Sequence, residues 1–434
     1  MIKLLYFSVF LIFTLGCSFN KNSKFWTSSE KIYKENDRNF EEVFAKEDSL
    51  ENELNPNLKL RLKKKINNNL QTRNYFNNDG RLNYDGNLEK SSRYKFSKIK
   101  NFYQFEPVLT FNNDNIVFFD NKGSIIQFSD KSELIWKKNY YSKPEKKLKP
   151  ILQFANNKNF LVVADNIAKY YMLNLKNGNL IWSKKNIAPF NSQLKIYKDK
   201  IFVIDSTNTL RCFSIKNGNE VWSTSTESSL VRSQKKLSIV IVDEIIYFNN
   251  TIGDVSAINI NNGELIWQLP TQSSDIYEAS FSLETSDIVA DDNSLFFSNN
   301  KNEFFSIDTE TGSFNWKNKI NSNLRPTIID DFLFTVSIEG YLVVVDKNRG
   351  NIIRVTDIFA NFKKKKRGKI KPTGFVAGLN NIYLSTNNGR LLIVDIISGK
   401  TISTLKIDKE KISRPFIFNK NLFVIKDNAI IKLN

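Results

Sequence analysis

The sequence of 434 residues holds two cysteines, Cys17 and Cys212, and no histidine. Without imidazole the commonest general base at neutral pH, the usual partner of a nucleophilic Ser or Cys, and the most frequent metal ligand are all missing. Two thiols are too few for a structural zinc cluster. Carboxylates are plentiful, but the ones that recur in a pattern, Asp308, Asp346 and Asp395, each stand four residues before a glycine. A short side chain there hydrogen-bonds the backbone two residues on and opens a turn, so these are turn formers and no acid–base pair emerges. Cys212 fills a repeat position that other units give to Ala257 and Ser306, which predicts a buried, inert thiol. No catalytic residue, metal ligand, cofactor or small-molecule substrate is expected, and the chain reads as non-enzymatic.

Cys17 sits in a different context. Lys3 gives a minimal positive start, residues 4–15 are apolar, and the run ends Thr14-Leu15-Gly16-Cys17-Ser18. That run is too short for a permanent membrane span and fits the core of a signal peptide. A small residue before a lone Cys at the end of such a core resembles the lipobox of bacterial lipoproteins, although Thr14 and Leu15 replace the usual Leu and small residue. The resemblance implies a signal peptide over 1–16, a lipidated Cys17 with several acyl chains for stable anchoring, and, with Ser18 following, placement on the periplasmic face of the outer membrane. Residues 17–92 are rich in Asn, Lys, Glu, Asp and Ser with little apolar periodicity, which reads as a mostly disordered tether. A coil of that length spans roughly 50 Å.

From residue 93 the sequence repeats. Gly178, Gly218, Gly263 and Gly312 are each followed four residues later by Trp182, Trp222, Trp267 and Trp316. Weaker copies place Arg354 after Gly350 and Ser403 after Gly399, and an earlier copy keeps Trp136 but has Ser132 in place of the glycine. The glycine-to-glycine intervals are 40, 45, 49, 38 and 49 residues, the period of propeller blades. Asn174, Ser214, Asn259, Asp308, Asp346 and Asp395 open the turns, the glycines supply the φ > 0 that completes them, and each Trp suits packing between neighbouring blades. Alternating apolar segments precede each turn, and Pro107, Pro150, Pro326, Pro372 and Pro415 open units where a missing N–H does little harm. Each unit therefore has four strands. Seven units are complete and an eighth, after Pro415, lacks its last strand, which the segment Arg93–Lys98 can supply. The expected fold is all-β: an eight-bladed β-propeller of four-stranded antiparallel blades over 93–434, closed by an N-terminal strand, with seven blades as the fallback. Closure removes the exposed sheet edges that β proteins must manage.

The Asp-x-x-x-Gly-x-x-x-Trp unit resembles the repeat of pyrroloquinoline-quinone (PQQ)-type, quinoprotein-like propellers across 93–434. Quinoprotein dehydrogenases of that superfamily carry their cofactor against a disulfide of adjacent cysteines, a pair this chain lacks. The lipobox, tether, eight short blades and N-terminal closing strand together resemble the BamB family of lipoproteins from the outer-membrane β-barrel assembly machinery, as does the join Asn101-Phe102-Tyr103 leading to Pro107. The resemblance implies a scaffold that binds the periplasmic domains of the barrel-inserting outer-membrane protein and assists protein insertion into the membrane. Carried over, the docking loops fall on Leu230, Val231 and Arg232, and on Glu284 and Asp287. The alternatives are a propeller lipoprotein with another envelope partner, or a quinoprotein enzyme.

The formal net charge of +18 invites nucleic acid as a partner. Lys, Asn, Ile and Phe are enriched together throughout, however, which raises the charge without selecting any partner, and no nucleic-acid binding is expected. The one dense run, Lys363 to Lys371 with seven basic residues, reads as an exposed connection between blades six and seven, or as an attraction for anionic headgroups or an acidic partner.

Overall fold

The computed structural model describes residues 52–63, 66–67, 75–227, 235–271 and 283–434. Among these, the strands form eight four-stranded antiparallel sheets, seven of them built in chain order from residues 110–138, 152–185, 195–225, 239–269, 289–318, 327–357 and 372–406. The eighth combines three C-terminal strands, Phe416–Phe418, Asn421–Lys426 and Ala429–Leu433, with the N-terminal strand Lys90–Lys95. That strand pairs antiparallel with the last, Arg93 opposite Ile431 and Lys95 opposite Ala429. The ring is thus eight-bladed and closed as expected, with the closing strand beginning at Lys90 rather than Arg93.

Burial within a blade follows strand order. Third strands such as Tyr341–Asp346 are buried on both faces, because a blade is sandwiched between two others, and they carry continuous apolar runs instead of alternation. Fourth strands such as Glu220–Ser225 alternate between exposed and half-buried. The core is a series of inter-blade layers. In one, Phe202, Ile204 and Leu210 of blade three meet Ile239, Ile246 and Phe248 of blade four.

One contact recurs between successive blades from the first to the sixth. The Trp of each fourth strand lies on the turn glycine of the next blade and donates its indole N–H to a carbonyl there: Trp136 to Leu175 at 3.1 Å, Trp182 to Ile215 at 3.0 Å, Trp267 to Thr309 at 3.0 Å and Trp316 to Lys347 at 3.0 Å. Trp222 packs on Gly263 in the same way, its N–H left without an acceptor. Gly312 shows why glycine is needed. Its φ is +73° and a Cβ would stand 2.7 Å from Cδ2 of Trp267, so both backbone conformation and space exclude a side chain. The turn openers act as the sequence predicts, with Asn174, Asn259 and Asp346 accepting from the N–H two residues on at 2.9, 2.8 and 2.9 Å.

At blades six and eight the joint is made by other side chains. Arg354, fully buried, lies over Gly399 and donates to the carbonyls of Ile396 and Ile397. At the seam, Tyr94 of the closing strand is also fully buried and donates its hydroxyl to the carbonyl of Asp130 in blade one at 2.9 Å, so a tyrosine makes the joint between the last blade and the first.

The segment assigned to the tether is partly structural. Leu54 forms an antiparallel bridge with Val355 on the outer edge of blade six, its N–H and C=O both used at 3.1 and 2.8 Å. Leu58 then offers its carbonyl to Nη1 of Arg354 at 2.9 Å. Residues 75–84 enter the ring itself, where Leu82 and Tyr84 are buried. The sequence showed no apolar periodicity here because these residues meet the sheets only through isolated bridges, as at Leu54 and Arg81. A variant lacking residues 18–85 keeps the closing strand but loses Leu60, Leu82 and Tyr84, each worth roughly 1.5–3 kcal/mol if fully buried. Its chemical-denaturation midpoint should fall well below that of the full chain; an unchanged midpoint would mean that the segment contributes nothing to the fold.

Candidate functional site

The first strands line the ring axis, where those of blades one and two, two and three, and four and five touch. The N–H of Gln193 donates to Leu237 O at 2.8 Å, and Asn156 reaches Phe111 O of the preceding blade at 2.9 Å. The connections that lead into these strands surround a wide mouth. A cavity of about 1240 Å³ opens there, with Lys98, Lys235, Lys236, Lys371 and Lys411 in its wall beside Glu106 and Glu284. The exposed basic run feeds directly into it: Lys364–Arg367 forms a short helix ahead of Lys371, anchored where Arg367 pairs with Asp357 at 2.8 Å.

Residues 75–82 cross the far ends of the first strands. The carbonyls of Tyr75 and Phe76 accept from Ile241 and Ala290 at 3.0 and 2.9 Å, and Leu82 donates to Ala377 O at 2.9 Å. At the centre lies Asn77, 2% exposed and in the left-handed region with φ +56°, which Asn tolerates better than most residues. Its amide nitrogen is within reach of Gln193 Oε1 at 3.0 Å, Ser238 Oγ at 3.1 Å and Ile288 O at 2.9 Å, while its Oδ1 accepts from Lys195 Nζ at 2.6 Å. One asparagine thus ties together blades three, four and five.

Charge gathers around it. Arg325 donates from Nε to Asp287 at 2.8 Å, Arg414 pairs with Asp79, and Lys195 and Lys236 complete the group. Burial alone would raise the Asp287 carboxyl, but Arg325, Lys236 and Lys235 outweigh it and hold it well below the usual carboxylate range. Burial, aided by Arg325, pushes the Lys195 ammonium down to about 7. Burial and the neighbouring Arg325 likewise lower Arg414.

The expected site residues divide. Leu230, Val231 and Arg232 lie outside the described residues, as does Cys17; the described chain resumes at Lys235, in the wall of the mouth. Glu284 is exposed at that rim and accepts from the amide of Asn323. Asp287 is instead buried inside the ring, committed to Arg325, so it offers no free carboxylate to a surface partner. Cys212 is fully buried opposite Trp222, and burial pushes its thiol up to about 12. The axial group Asn77, Asp79, Lys195, Arg325 and Arg414 went unrecognised because its members come from four segments distant in the sequence. A signal did exist: Arg325-Pro326 and Arg414-Pro415 place the same charged residue at the entry to two inner strands.

Among the described residues no cluster of three or more Cys, Asp or Glu could hold a metal ion, and no helix is long and apolar enough to cross a membrane. The family profile described as outer membrane protein assembly factor BamB matches residues 121–356, more than half of the chain. A protein of that description from Legionella pneumophila (strain Paris) is 24% identical over 155 residues, 35% of each chain. The match therefore spans about a third of that relative's length. An uncharacterized protein of Rickettsia prowazekii (strain Madrid E) is 24% identical over 324 residues, 73% of this chain and 75% of its own. Of solved structures, BamB from Moraxella catarrhalis superposes with a TM-score of 0.66 at 15% identity, over 80% of this chain and 99% of that one. The quinohemoprotein alcohol dehydrogenase of Comamonas testosteroni reaches 0.61 at 8% identity, over 81% and 78%, and at such identities the likeness is one of fold.

The axial lysine has a pH signature. An ordinary lysine titrates at 10.5 and Lys195 at about 7, so between these values the unfolded chain binds a proton that the folded chain does not. Folding stability contributed by this site therefore rises with pH across that window, and the cost of the buried charge is fully present below 7. Relative to a Lys195→Met variant, wild-type stability in urea should improve from pH 6.5 to 9.5; a difference independent of pH would show that Lys195 is not shifted.

Proposed function

Because the chain belongs to the family of the outer membrane protein assembly factor BamB, we propose that it is a non-enzymatic scaffold that binds the barrel-inserting protein of an outer-membrane assembly machinery through its periplasmic domains. The profile match over residues 121–356 carries this reading. The geometry is compatible with it: a closed ring of eight blades presents its connections on a fixed frame, and no bond need be made or broken. Arg232, beside apolar Leu230 and Val231, is the proposed anchor, since interface affinity concentrates in a few residues among which Arg is prominent. Glu284 at the rim is a secondary contact. Anchoring to the periplasmic face of the outer membrane through a lipidated Cys17 completes the proposal.

Truncating an anchor Arg typically costs about 2 kcal/mol or more, which weakens a complex some thirtyfold. Arg232→Ala should lose the barrel-inserting protein in a pull-down from envelope membranes while melting like wild type, with Lys364→Ala retaining the partner. Normal capture by Arg232→Ala would remove the anchor assignment, and failure of the wild-type chain to capture that protein would remove the scaffold reading.

For the anchor, intact mass should show a chain starting at Cys17 with acyl additions, and Cys17→Ser should move the protein from the outer-membrane fraction to the soluble periplasm. An unmodified Cys17 in the membrane fraction would refute lipidation.

A further inference from the structure

The axis carries more positive charge than docking at a rim requires. Beside residues 75–79 remains a cavity of about 150 Å³ whose wall includes Lys195, Lys236, Arg325 and Arg414 but a single carboxylate, Asp79. That is the volume which, when lined by apolar groups, takes a benzene-sized guest. Counting Asp287, the partner of Arg325, four basic groups face two carboxylates, so positive charge is in excess even with Lys195 unprotonated above pH about 7. Excess buried charge of one sign is costly unless a counter-charge is supplied.

The use of donors points the same way. Arg325 is matched by Asp287 and Arg414 by Asp79. Lys195 is held by Asn77. Lys236 has neither an ion pair nor a hydrogen bond among the described residues, although burial lowers its affinity for a proton. Nε of Arg414 and Nε2 of Gln193, in two further residues of the wall, are buried donors without acceptors. Lys236 also lines the large mouth, so it stands where cavity and mouth join and is reachable from the open side. The lysines around that mouth raise the local concentration of anions.

We propose that the axial cavity is an anion-binding site in which Lys236 receives an oxyanion group, a phosphate- or carboxylate-type head, entering through the mouth, with Arg414 and Lys195 supplying the remaining positive charge. The cations come from blades three, four, six and eight, so a bound anion bridges parts of the ring that are distant in sequence. The site is independent of the scaffold reading, since it needs no protein partner.

Calorimetry on the full mature chain tests it, with sulfate, phosphate and succinate titrated separately at constant ionic strength set by chloride. Sulfate keeps its charge throughout the neutral range, so its binding reports the protein alone. Saturable binding of at least one of the three to a single site is expected. Lys236→Gln should weaken that binding about tenfold or more, the loss of one charge-assisted contact. Lys364→Gln, in the exposed run, should leave it unchanged. If Lys236→Gln fails to fold by circular dichroism, Lys236→Arg, which keeps the charge, must retain binding. For phosphate, competition by phosphatidylglycerol vesicles assigns the natural group to a lipid head, and lack of competition assigns it to a free ion; both outcomes support the site. No saturable heat with any of the three anions, or equal affinity in wild type and Lys236→Gln, overturns it.

Discussion

The structure depends on one joint: a large side chain from the outermost strand of a blade, Trp in blades one to five, laid over the turn of the next, in most cases with its polar end on a backbone carbonyl. Apart from isolated backbone contacts such as Gln193 N–H to Leu237 O, each ladder stays within its own blade, so the ring rests largely on side-chain packing between sheets and on these joints. Trp serves because it combines a large apolar face with one donor. The glycine beneath it serves because a Cβ would occupy the ring's place, as at Gly312 and Trp267. The turn-opening Asn or Asp shapes the turn on which that contact rests.

Where the joint departs from Trp, the chain compensates locally. Arg354 fills the same space over Gly399, but a guanidinium has five donors to satisfy, and the next blade supplies only part of what it needs. Residues 52–58 supply more, closing over blade six and presenting the carbonyl of Leu58. At the seam the indole is replaced by Tyr94, whose longer reach finds Asp130. The N-terminal segment therefore works at three depths: outer edge at Leu54, axis at Asn77, and closing strand at Lys90–Lys95.

The architecture was legible because its determinants recur. Trp182, Trp222, Trp267 and Trp316, each four residues after a glycine, announce the period, and the strand missing after Pro415 announces the closure. The axial site was not legible in the same way. Asn77, Lys195, Arg325 and Arg414 are single residues from distant segments, brought together only when the ring closes. The burial of residues 75–84 was hidden for a related reason: a chain that crosses strand ends needs no periodicity, and its polar composition looks like that of a solvated linker. Asp287 shows the limit of transferring a role by resemblance, since a carboxylate matched to a surface loop is spent on Arg325 inside the ring.

The chain belongs to the BamB family, and its geometry combines inter-blade joints, an axis crossed by residues 75–82 and an open, lysine-rich mouth. If the inter-blade joint is the controlling interaction, the strap over blade six exists to serve Arg354. A thermodynamic cycle between Arg354→Trp and removal of residues 18–63 measures this directly. Restoring Trp should make residues 52–58, the strap over blade six, largely dispensable, giving a coupling energy of about 0.5–3 kcal/mol, the range found for residues in contact. Strictly additive effects of the two changes would contradict the account, because the strap would then stabilise the ring without reference to the joint beneath it.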